Sequence, residues 1–413
     1  MVEFPSAPIR SKRYPTEFWV LCVHMFLFLA SFNMLVPEMN SYLDSLGGAD
    51  YKWLILGLWA VSAGLMRPVS GKIADNISRK SVMYAGLIVS VAVTFIYPFF
   101  ATVTGFLVLR LLHGFSTGLQ PTGATALIAD IIPQGRRGEA MGIFGVTFTL
   151  GYGLGAGWGS LVKQEFGMDG LFYCCGCLGI ASLLLIPFIY ENREIVKRYS
   201  AESGNVTLWD KVIPKWSEIL GPEVWIPSVV MLLTASLAGI FMMTVPDYSA
   251  HLGYENKGYF WLTYMLVTIV IRLIAGKLTD RFGPRNNLLA ACVFLIAAAV
   301  CMANVQTQAQ FELCSVLYGL GSGLASPALF TWTADLSHPV HKGRGMATMF
   351  IALEFGILIG NAIAQYVYQN NPENFGETYY WGAMLSFLAL IFLLVFKDKP
   401  QPVGESSLLD DGL

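Results

Sequence analysis

Ionisable side chains inside apolar stretches are the residues of this sequence with the clearest chemical potential. Glu354 stands in the middle of "FIALEFGILIGNAI", with Asn361 on the same helical face, and Arg110 stands in "LRLLHGFSTGLQP". A charge at the bilayer centre costs about 2.5–3.5 kcal/mol on insertion scales, so such a residue normally serves a function. Apolar surroundings favour a neutral carboxyl group, which would let Glu354 load and release a proton. A protonated acid with a local, structural bond is the alternative.

Four other charged residues stand inside apolar runs or at their ends. Arg67 opens "RPVSGKIAD", and Arg272 opens "RLIAGKLTD" 205 positions later. Glu38 and Asp247 follow prolines at the ends of two further runs, in "VPE" and "VPD". These two acids are candidates for proton access or for attracting cations, although exposed acids at helix ends are the commoner case.

The composition indicates that membrane helices position these residues. The chain has 413 residues, of which 55% are hydrophobic and 13% are charged, whereas a soluble domain carries about 25% charged residues. Its 41 glycines suit close helix packing in lipid. We therefore predict an all-α membrane protein whose surroundings are the lipid bilayer, with no nucleic-acid partner.

Twelve apolar runs approach the roughly 20 residues needed to span a bilayer. They cover approximately 17–38, 53–74, 81–101, 105–131, 141–163, 169–190, 223–246, 259–279, 286–304, 309–334, 346–368 and 378–396. We predict a six-helix bundle over 1–190, a cytoplasmic linker over 191–222, a second six-helix bundle over 223–398 and a cytoplasmic tail over 399–413. The linker contains either a short helix on the membrane surface or a segment that packs on nothing.

The distribution of lysine and arginine predicts the orientation. With the N-terminus inside, twenty of the 26 basic residues fall on the inner side, three lie within spans, and only Lys52, Lys163 and Lys257 lie outside. This bias predicts that both termini are cytoplasmic.

The two halves of the sequence repeat at an offset of 205. Gly114, Asp130 and Gly138 match Gly319, Asp335 and Gly343, as Arg67 matches Arg272. Repeated halves of parallel topology place a substrate site between them near the membrane midplane, and one half rocks against the other during transport.

The repeated motif resembles that of the major facilitator superfamily, whose loop between helices 2 and 3 reads G-x-x-x-D-[RK]-x-G-[RK]-[RK]. The first copy departs from the pattern at Asn76 and Ser78, and the second carries an intruding Pro284. The resemblance implies a latch that closes the cytoplasmic side. Its residues would be Gly71, Asp75, Arg79, Lys80, Gly276, Asp280, Arg281 and Arg285. The plainer interpretation is that these charges only fix the topology.

Helices 4 and 5 bear on the direction of transport. The resemblance implies that Arg110 assists proton transfer or substrate binding, although backbone carbonyls could hold it in a structural role. Drug:proton antiporters with twelve helices read G-x-x-x-G-P-x-x-G-G in helix 5. This chain keeps the glycine spacing from Gly151 to Gly159 but has Ala156 and Ser160 in place of the proline and the last glycine. The match is partial, favours export, and has small-residue packing as its alternative.

We therefore predict a monomeric secondary transporter of a bacterial inner membrane that exports small amphipathic molecules by alternating access, with protons as the coupling ion and no cofactor. The proton-coupling candidates are Glu354, Arg110, Glu38 and Asp247. The substrate-cavity candidates are His24, Phe28, Phe32, Phe148, Tyr152, Trp332, Asn361, Arg67 and Arg272. The alternatives are an importer or symporter of an organic anion drawn by the arginines, a lysolipid transporter, and a sensor that moves nothing.

The sequence offers no enzymatic or metal-binding signature. It lacks a Walker loop and H-E-x-x-H, so we predict no enzyme activity. The seven cysteines lie mostly in apolar runs, and their odd number and lack of a loop framework imply no disulfide. "CCGC" at 174–177 is more typical of buried thiols than of a metal site.

Overall fold

The computed structural model describes residues 14–48, 51–191, 208–215, 218–253, 259–338, 341–369 and 371–396. Within these ranges the chain forms helices and no strand, which agrees with the predicted all-α class. The predicted tail at 399–413 and most of the linker, including Trp216, lie outside the described residues.

Eleven helices in the described ranges have 18 or more residues, and the longest, Arg137–Leu185, has non-helical backbone angles at Gly167 (φ 71°). A positive φ suits glycine, so this residue divides the helix into two. The long helices are α1 (Thr16–Leu35), α2 (Lys52–Asn76), α3 (Arg79–Ile96), α4 (Val103–Ile131), α5 (137–166), α6 (168–185), α7 (Trp225–His251), α8 (Tyr259–Phe282), α9 (Pro284–Ala303), α10 (Gln308–Leu336), α11 (Lys342–Tyr368) and α12 (Phe375–Val395).

Length and composition support membrane crossing for most of these helices. Among the described residues, nine helical segments are long and apolar enough to span a membrane, and one of them, Arg137–Phe188, contains both α5 and α6. The helices α2 and α4 are not among the nine, but they have 25 and 29 residues, enough to cross the hydrocarbon core. The twelve helices correspond to the twelve predicted spans.

The helices form two bundles that we call the N-terminal half (α1–α6) and the C-terminal half (α7–α12). Inside the first, α2 and α3 pack on α4, and inside the second, α8 and α9 pack on α10. Between the halves, α2 packs on α11 and α8 packs on the 137–185 helix. In the sequence, α8 is the repeat of α2 and α11 is the repeat of α5, each at an offset of 205, so these two contacts are equivalent. The sequence repeat therefore corresponds to a pseudo-twofold relation between the halves.

Glycines of α5 and α11 hold each helix against a neighbour within its own half. A Cβ atom at Gly155 would lie 2.8 Å from Ala30 O in α1, and one at the equivalent Gly360 would clash with the backbone of Ser236 in α7. Because both halves use the same spacing for packing, the helix 5 glycines do not by themselves distinguish exporters from other transporters.

The described part of the linker attaches to α2. A short helix covers Leu208–Val212, and Lys72 Nζ donates to Ile213 O at 2.9 Å and pairs with Glu218. Partial burial raises the pKa of Glu218, but the bond from Lys72 and other donors outweigh it and lower that pKa overall. The linker therefore packs on the repeated motif, which excludes the interpretation that it contacts nothing.

Candidate functional site

The two copies of the repeated motif reach across to the opposite half at one end of the molecule, which we call the motif end. Asp75, in the last turn of α2, accepts hydrogen bonds from the backbone amides of Gly343 (2.7 Å) and Arg344 (2.8 Å). Asp280, in the last turns of α8, accepts them from Gly138 (2.7 Å) and Glu139 (2.8 Å). Each carboxylate accepts hydrogen bonds from backbone amides that have no partner within their own helix. Its negative charge also lies at the positive, N-terminal end of that helix's dipole, which is a favourable interaction.

Glycines permit this contact at both places. A Cβ atom at Gly71 would lie 3.0 Å from Gly343 O, and one at Gly343 would lie 2.7 Å from Gly71 O. A side chain at Gly276 would clash with the backbone of Gly138 and Glu139. Backbone therefore meets backbone across the interface, and the two carboxylates reach the amides because the helices approach so closely.

The basic residues of the motif are not equivalent between the copies. Arg79 is buried, and it contacts Asp75 at 2.7 Å and Asp130 at 3.2 Å. The matching position in the second copy is Pro284, so Asp280 lacks an arginine four residues later. Only the first copy thus combines a helix cap with a buried ion pair.

Three other predicted latch residues have different surroundings. Lys80 Nζ donates to Ile189 O at 2.7 Å, and Arg285 Nη2 donates to Leu393 O at 2.6 Å. These contacts cap helix ends within the same half, so in this conformation the structure does not bring Lys80 or Arg285 across the interface. Arg281 is exposed, with its guanidinium 5.1 Å from the Phe282 ring.

Two ion pairs at the motif end were missing from the sequence-based site. Lys342 Nζ lies 2.8 Å from Asp130 Oδ1, and Arg137 Nη1 lies 2.6 Å from Asp335 Oδ1. Each pair joins the two halves, and the offset of 205 relates one pair to the other. The repeat contained this signal, since it places a basic residue and an aspartate at equivalent positions in both copies.

A histidine beside Asp75 does not add to these charged contacts at neutral pH. His341 Nδ1 lies 4.0 Å from Asp75 Oδ2. Burial, assisted by the nearby Arg344 and His338, lowers the pKa of His341 to about 4. The imidazole is therefore neutral near pH 7, and the Asp75 carboxylate depends on Arg79 and the two backbone amides.

Closer to the middle of the helices, an ion pair connects α2 to α11. Arg67 Nη2 lies 2.9 Å from Glu354 Oε1, and both residues are buried, with 3% and 5% of their surface exposed. Arg67 also donates to Thr122 Oγ1 at 3.2 Å, and its guanidinium lies 4.2 Å from the centre of the Phe350 ring. Glu354 therefore has a buried basic partner, which its apolar stretch alone did not show.

The repeat-related position has the arginine but no carboxylate. Arg272 Nη1 donates to Thr149 Oγ1 at 2.7 Å and also to Gly145 O, and Thr149 is the residue that matches Glu354. The Nε atom of Arg272 is buried without a hydrogen-bond partner among the described residues. Tyr152 is 49% exposed and lies within electrostatic reach of both arginines and Glu354. Two arginines and one carboxylate therefore surround the same region between the halves.

Four predicted site residues lie inside the N-terminal half instead. His24 contacts Gln120 Nε2 at 2.6 Å and Ser182 O at 2.9 Å, and Phe28 is fully buried in the hydrophobic core. Phe32 packs against Trp59 and His113. The structure therefore gives His24 and Phe32 partners within the N-terminal half and not across the interface between the halves.

Arg110 is the fourth residue in this interior, and it is completely buried in α4. It lies 3.5 Å from the Tyr97 hydroxyl and 5.5 Å from the centre of the Phe32 ring. Its Nε and Nη2 atoms lack a partner in the part of the chain that the structure describes. The structure therefore does not bring Arg110 together with Glu354.

Three other cavity candidates lie on helices that form the interface. Phe148 packs on Phe144 of its own helix and Phe330 of α10. Trp332 is 5% exposed and belongs to the same core. The backbone of Asn361 lies against Gly239 of α7. Of these three, Phe148 alone has an aromatic contact that crosses between the halves in the described structure.

The two acids at the other end of the molecule, the distal end, are both engaged. Glu38 pairs with Lys163 and accepts a bond from Ser160 Oγ at 2.7 Å. These contacts connect the end of α1 to α5 inside one half. Asp247 is exposed and hydrogen-bonds with Tyr368. Neither contact connects the two halves of the protein.

Comparison with known proteins gives a consistent result. The model of the Major Facilitator Superfamily matches residues 21–309 and 262–410. The multi-drug resistance efflux pump PmrA homolog of Lactococcus lactis is 27% identical over 364 residues, covering 84% of this chain and 87% of the relative. The multidrug resistance protein MdtG of Enterobacter lignolyticus is 28% identical over 338 residues, covering 79% and 78%.

Solved structures agree on the fold. The human organic anion transporter MFSD10 (TETRAN) superimposes with a TM-score of 0.75 at 18% identity, covering 92% of this chain and 100% of that one. The fucose:proton symporter FucP of E. coli gives a TM-score of 0.69 at 14% identity, covering 92% and 98%. With the family model matching most of its length, the chain belongs to the Major Facilitator Superfamily.

Proposed function

We propose that this protein is a proton-coupled exporter of small amphipathic molecules that works by alternating access. The observation that carries the proposal is the buried ion pair between Arg67 and Glu354, because it joins the two moving halves through a group that a proton can neutralise. Transport requires these halves to separate at one end and then at the other. A proton on Glu354 would therefore act directly on the connection that has to change.

Protonation would change the energetics of the interface in a defined direction. Neutral Glu354 loses its charge interaction with Arg67, which weakens one tie between α2 and α11 while the contacts of the motif end remain. In the proposed cycle, a proton arriving from the distal side favours opening of the motif end. Release of the proton there restores the ion pair and favours the closed arrangement that the structure has.

The proposed orientation places the motif end in the cytoplasm of a bacterial inner membrane, with substrate between the halves near Tyr152. The excess of lysine and arginine on that side supports this orientation. The multidrug efflux pumps among the relatives support export. The exposed face of Tyr152 beside the Arg67–Glu354 pair supports substrate contact there.

A second candidate is transport of an organic anion. Arg272 has Thr149 where Arg67 has Glu354, so the region between the halves holds two guanidinium groups and one carboxylate. An acidic group on the substrate would neutralise the remaining charge. The MFSD10 structure belongs to an organic anion transporter, although its low identity supports the fold alone.

Proteoliposomes that contain a pH-sensitive dye distinguish these candidates. Either a lipophilic cationic dye or an aromatic carboxylate is loaded into the lumen as the test substrate, so that its gradient is directed outward. The pH-sensitive dye records the movement of protons. Exchange of protons for the cationic dye supports the exporter. Proton movement in the same direction as the carboxylate, with no response to the cation, supports the anion transporter. Proton-independent binding of either probe contradicts coupled transport.

A further inference from the structure

Two cysteines at the distal end of the C-terminal half lie unusually close together. Cys301 is in the last turn of α9, and Cys314 is in the second turn of α10. Their sulfur atoms are 2.6 Å apart, and both are free thiols in the structure. That separation is within about 0.6 Å of an S–S bond length, so little movement is needed to join them.

The surrounding structure holds the pair in place. The connection between α9 and α10 is short, and Thr307 caps α10 with reciprocal bonds to Gln310. Cys301 Sγ also contacts Gln310 O at 3.8 Å. Tyr248 in α7 donates from its hydroxyl to Val305 O at 3.0 Å, which fixes the connecting turn against the bundle. The two sulfur atoms therefore belong to ordered, packed helices.

We propose that Cys301 and Cys314 form a disulfide bond on the extracytoplasmic side of the membrane, where such bonds persist. The compartment follows from the proposed orientation, because the distal end is outside when the motif end is cytoplasmic. The sequence alone implied no disulfide, since its cysteines show no loop framework. The close approach of this one pair becomes visible only when α9 and α10 are packed together.

The oxidation is a thiol–disulfide exchange with an extracytoplasmic oxidoreductase that carries a reactive disulfide. Cys301 is partly exposed, whereas Cys314 is fully buried. Cys301 would attack the oxidant and form a mixed disulfide, releasing one oxidant thiol. Cys314 would then displace the second oxidant thiol. The two protein thiols lose two electrons and two protons, and the oxidant disulfide is reduced to two thiols.

Counting alkylated cysteines by intact mass tests the proposal. The protein is purified without reductant, denatured, and treated with N-ethylmaleimide before and after reduction. The parent has seven cysteines, so we expect five adducts before reduction and seven after it. Seven adducts before reduction overturn the proposal. In that case the reduced, folded protein is exposed to glutathione disulfide to separate the causes. Five adducts would mean that the two thiols can join and that the proposed orientation is wrong. Seven adducts would mean that the two thiols do not lie close enough to join.

Serine variants identify the pair. Cys301→Ser should show six adducts with or without reduction, whereas four adducts before reduction would mean that another pair carries the bond. Cys292→Ser, on the same helix, is the matched control and should show four adducts before reduction and six after it. Because a cross-link restricts the unfolded chain, reduction should lower the Tm of the parent by about 3–6 °C and leave that of Cys301→Ser unchanged.

Discussion

Two arginines at equivalent positions of the repeat differ in the residue that each contacts in the opposite half. Arg67 and Arg272 both reach across the interface, to Glu354 and to Thr149. The threonine hydroxyl is an uncharged acceptor, whereas the glutamate side chain is a carboxyl group. The arrangement common to both halves is therefore an arginine that bridges the interface, and one of the two bridges ends on Glu354, the residue that we propose binds the coupling proton.

The buried pair also predicts an uneven response to substitution. Arg67→Gln leaves the Glu354 carboxylate buried without its counter-charge, which typically costs about 3–5 kcal/mol in stability. The double variant Arg67→Gln/Glu354→Gln removes both charges and should therefore unfold at a higher temperature than Arg67→Gln alone. Thermal unfolding in detergent measures this order. A double variant as unstable as Arg67→Gln would mean that the two side chains do not form the pair.

At the scale of helices, the motif end combines two caps with two ion pairs. Asp75 and Asp280 cap α11 and α5, and the Lys342–Asp130 and Arg137–Asp335 pairs lie alongside. Helix caps typically contribute about 0.5–2 kcal/mol each. Several such contacts together can hold one end closed, while each remains weak enough to break during a transport cycle.

Removing the cap charges should shift the protein toward the state that is open at the motif end. We expect the effect of Asp75→Asn to exceed that of Asp280→Asn, since only Asp75 also pairs with Arg79. A reporter cysteine at position 152, in a background without other reactive thiols, should react more slowly with maleimide as the distal side closes. Glu38→Gln is the control, because its ion pair lies within one half.

Equal labelling rates in both aspartate variants and in the parent would remove the latch from this account. A larger effect of Asp280→Asn would instead show that the arginine beside Asp75 contributes little to closure.

The ion pairs can be tested separately by exchanging their charges. Arg137→Asp alone places two acids opposite each other and should favour opening of the motif end. Arg137→Asp/Asp335→Arg restores opposite charges and should recover most of the labelling rate of the parent. The same reporter at position 152 measures both variants. A double variant that labels no differently from Arg137→Asp would show that this contact does not hold the halves together.

At the scale of the whole molecule, the sequence predicted the helices better than it predicted their meeting points. The hydropathy pattern predicted that helix 5 begins near residue 141 and helix 11 near residue 346. In the structure these helices begin at Arg137 and Lys342. The missing first turns are polar, so hydropathy does not detect them. These turns contain the amides that bind Asp280 and Asp75 and the cations that bind Asp335 and Asp130.

The candidate site was predicted in part for a related reason. Charged residues in apolar runs drew attention to Arg67, Arg272 and Glu354, and in the structure both arginines contact the opposite half. The sequence could not show that α2 faces α11. His24, Phe28 and Phe32 of helix 1 were predicted to line a cavity, yet all three are buried, and the partners of His24 and Phe32 lie in the N-terminal half. An apolar stripe has the same periodicity whether it faces a cavity or a neighbouring helix.

The most direct test of the account is active transport by Glu354→Gln in proteoliposomes with an imposed pH gradient. Glutamine keeps the shape of glutamate and can still accept a bond from Arg67, but it cannot bind or release a proton. We predict that the variant binds the transported dye within about tenfold of the parent, since at most about 1.4 kcal/mol of charge interaction is lost, and that it fails to accumulate the dye against its gradient. Glu38→Gln, measured alongside, should transport normally. Accumulation by Glu354→Gln equal to that of the parent would contradict the proposal that this residue couples protons to transport.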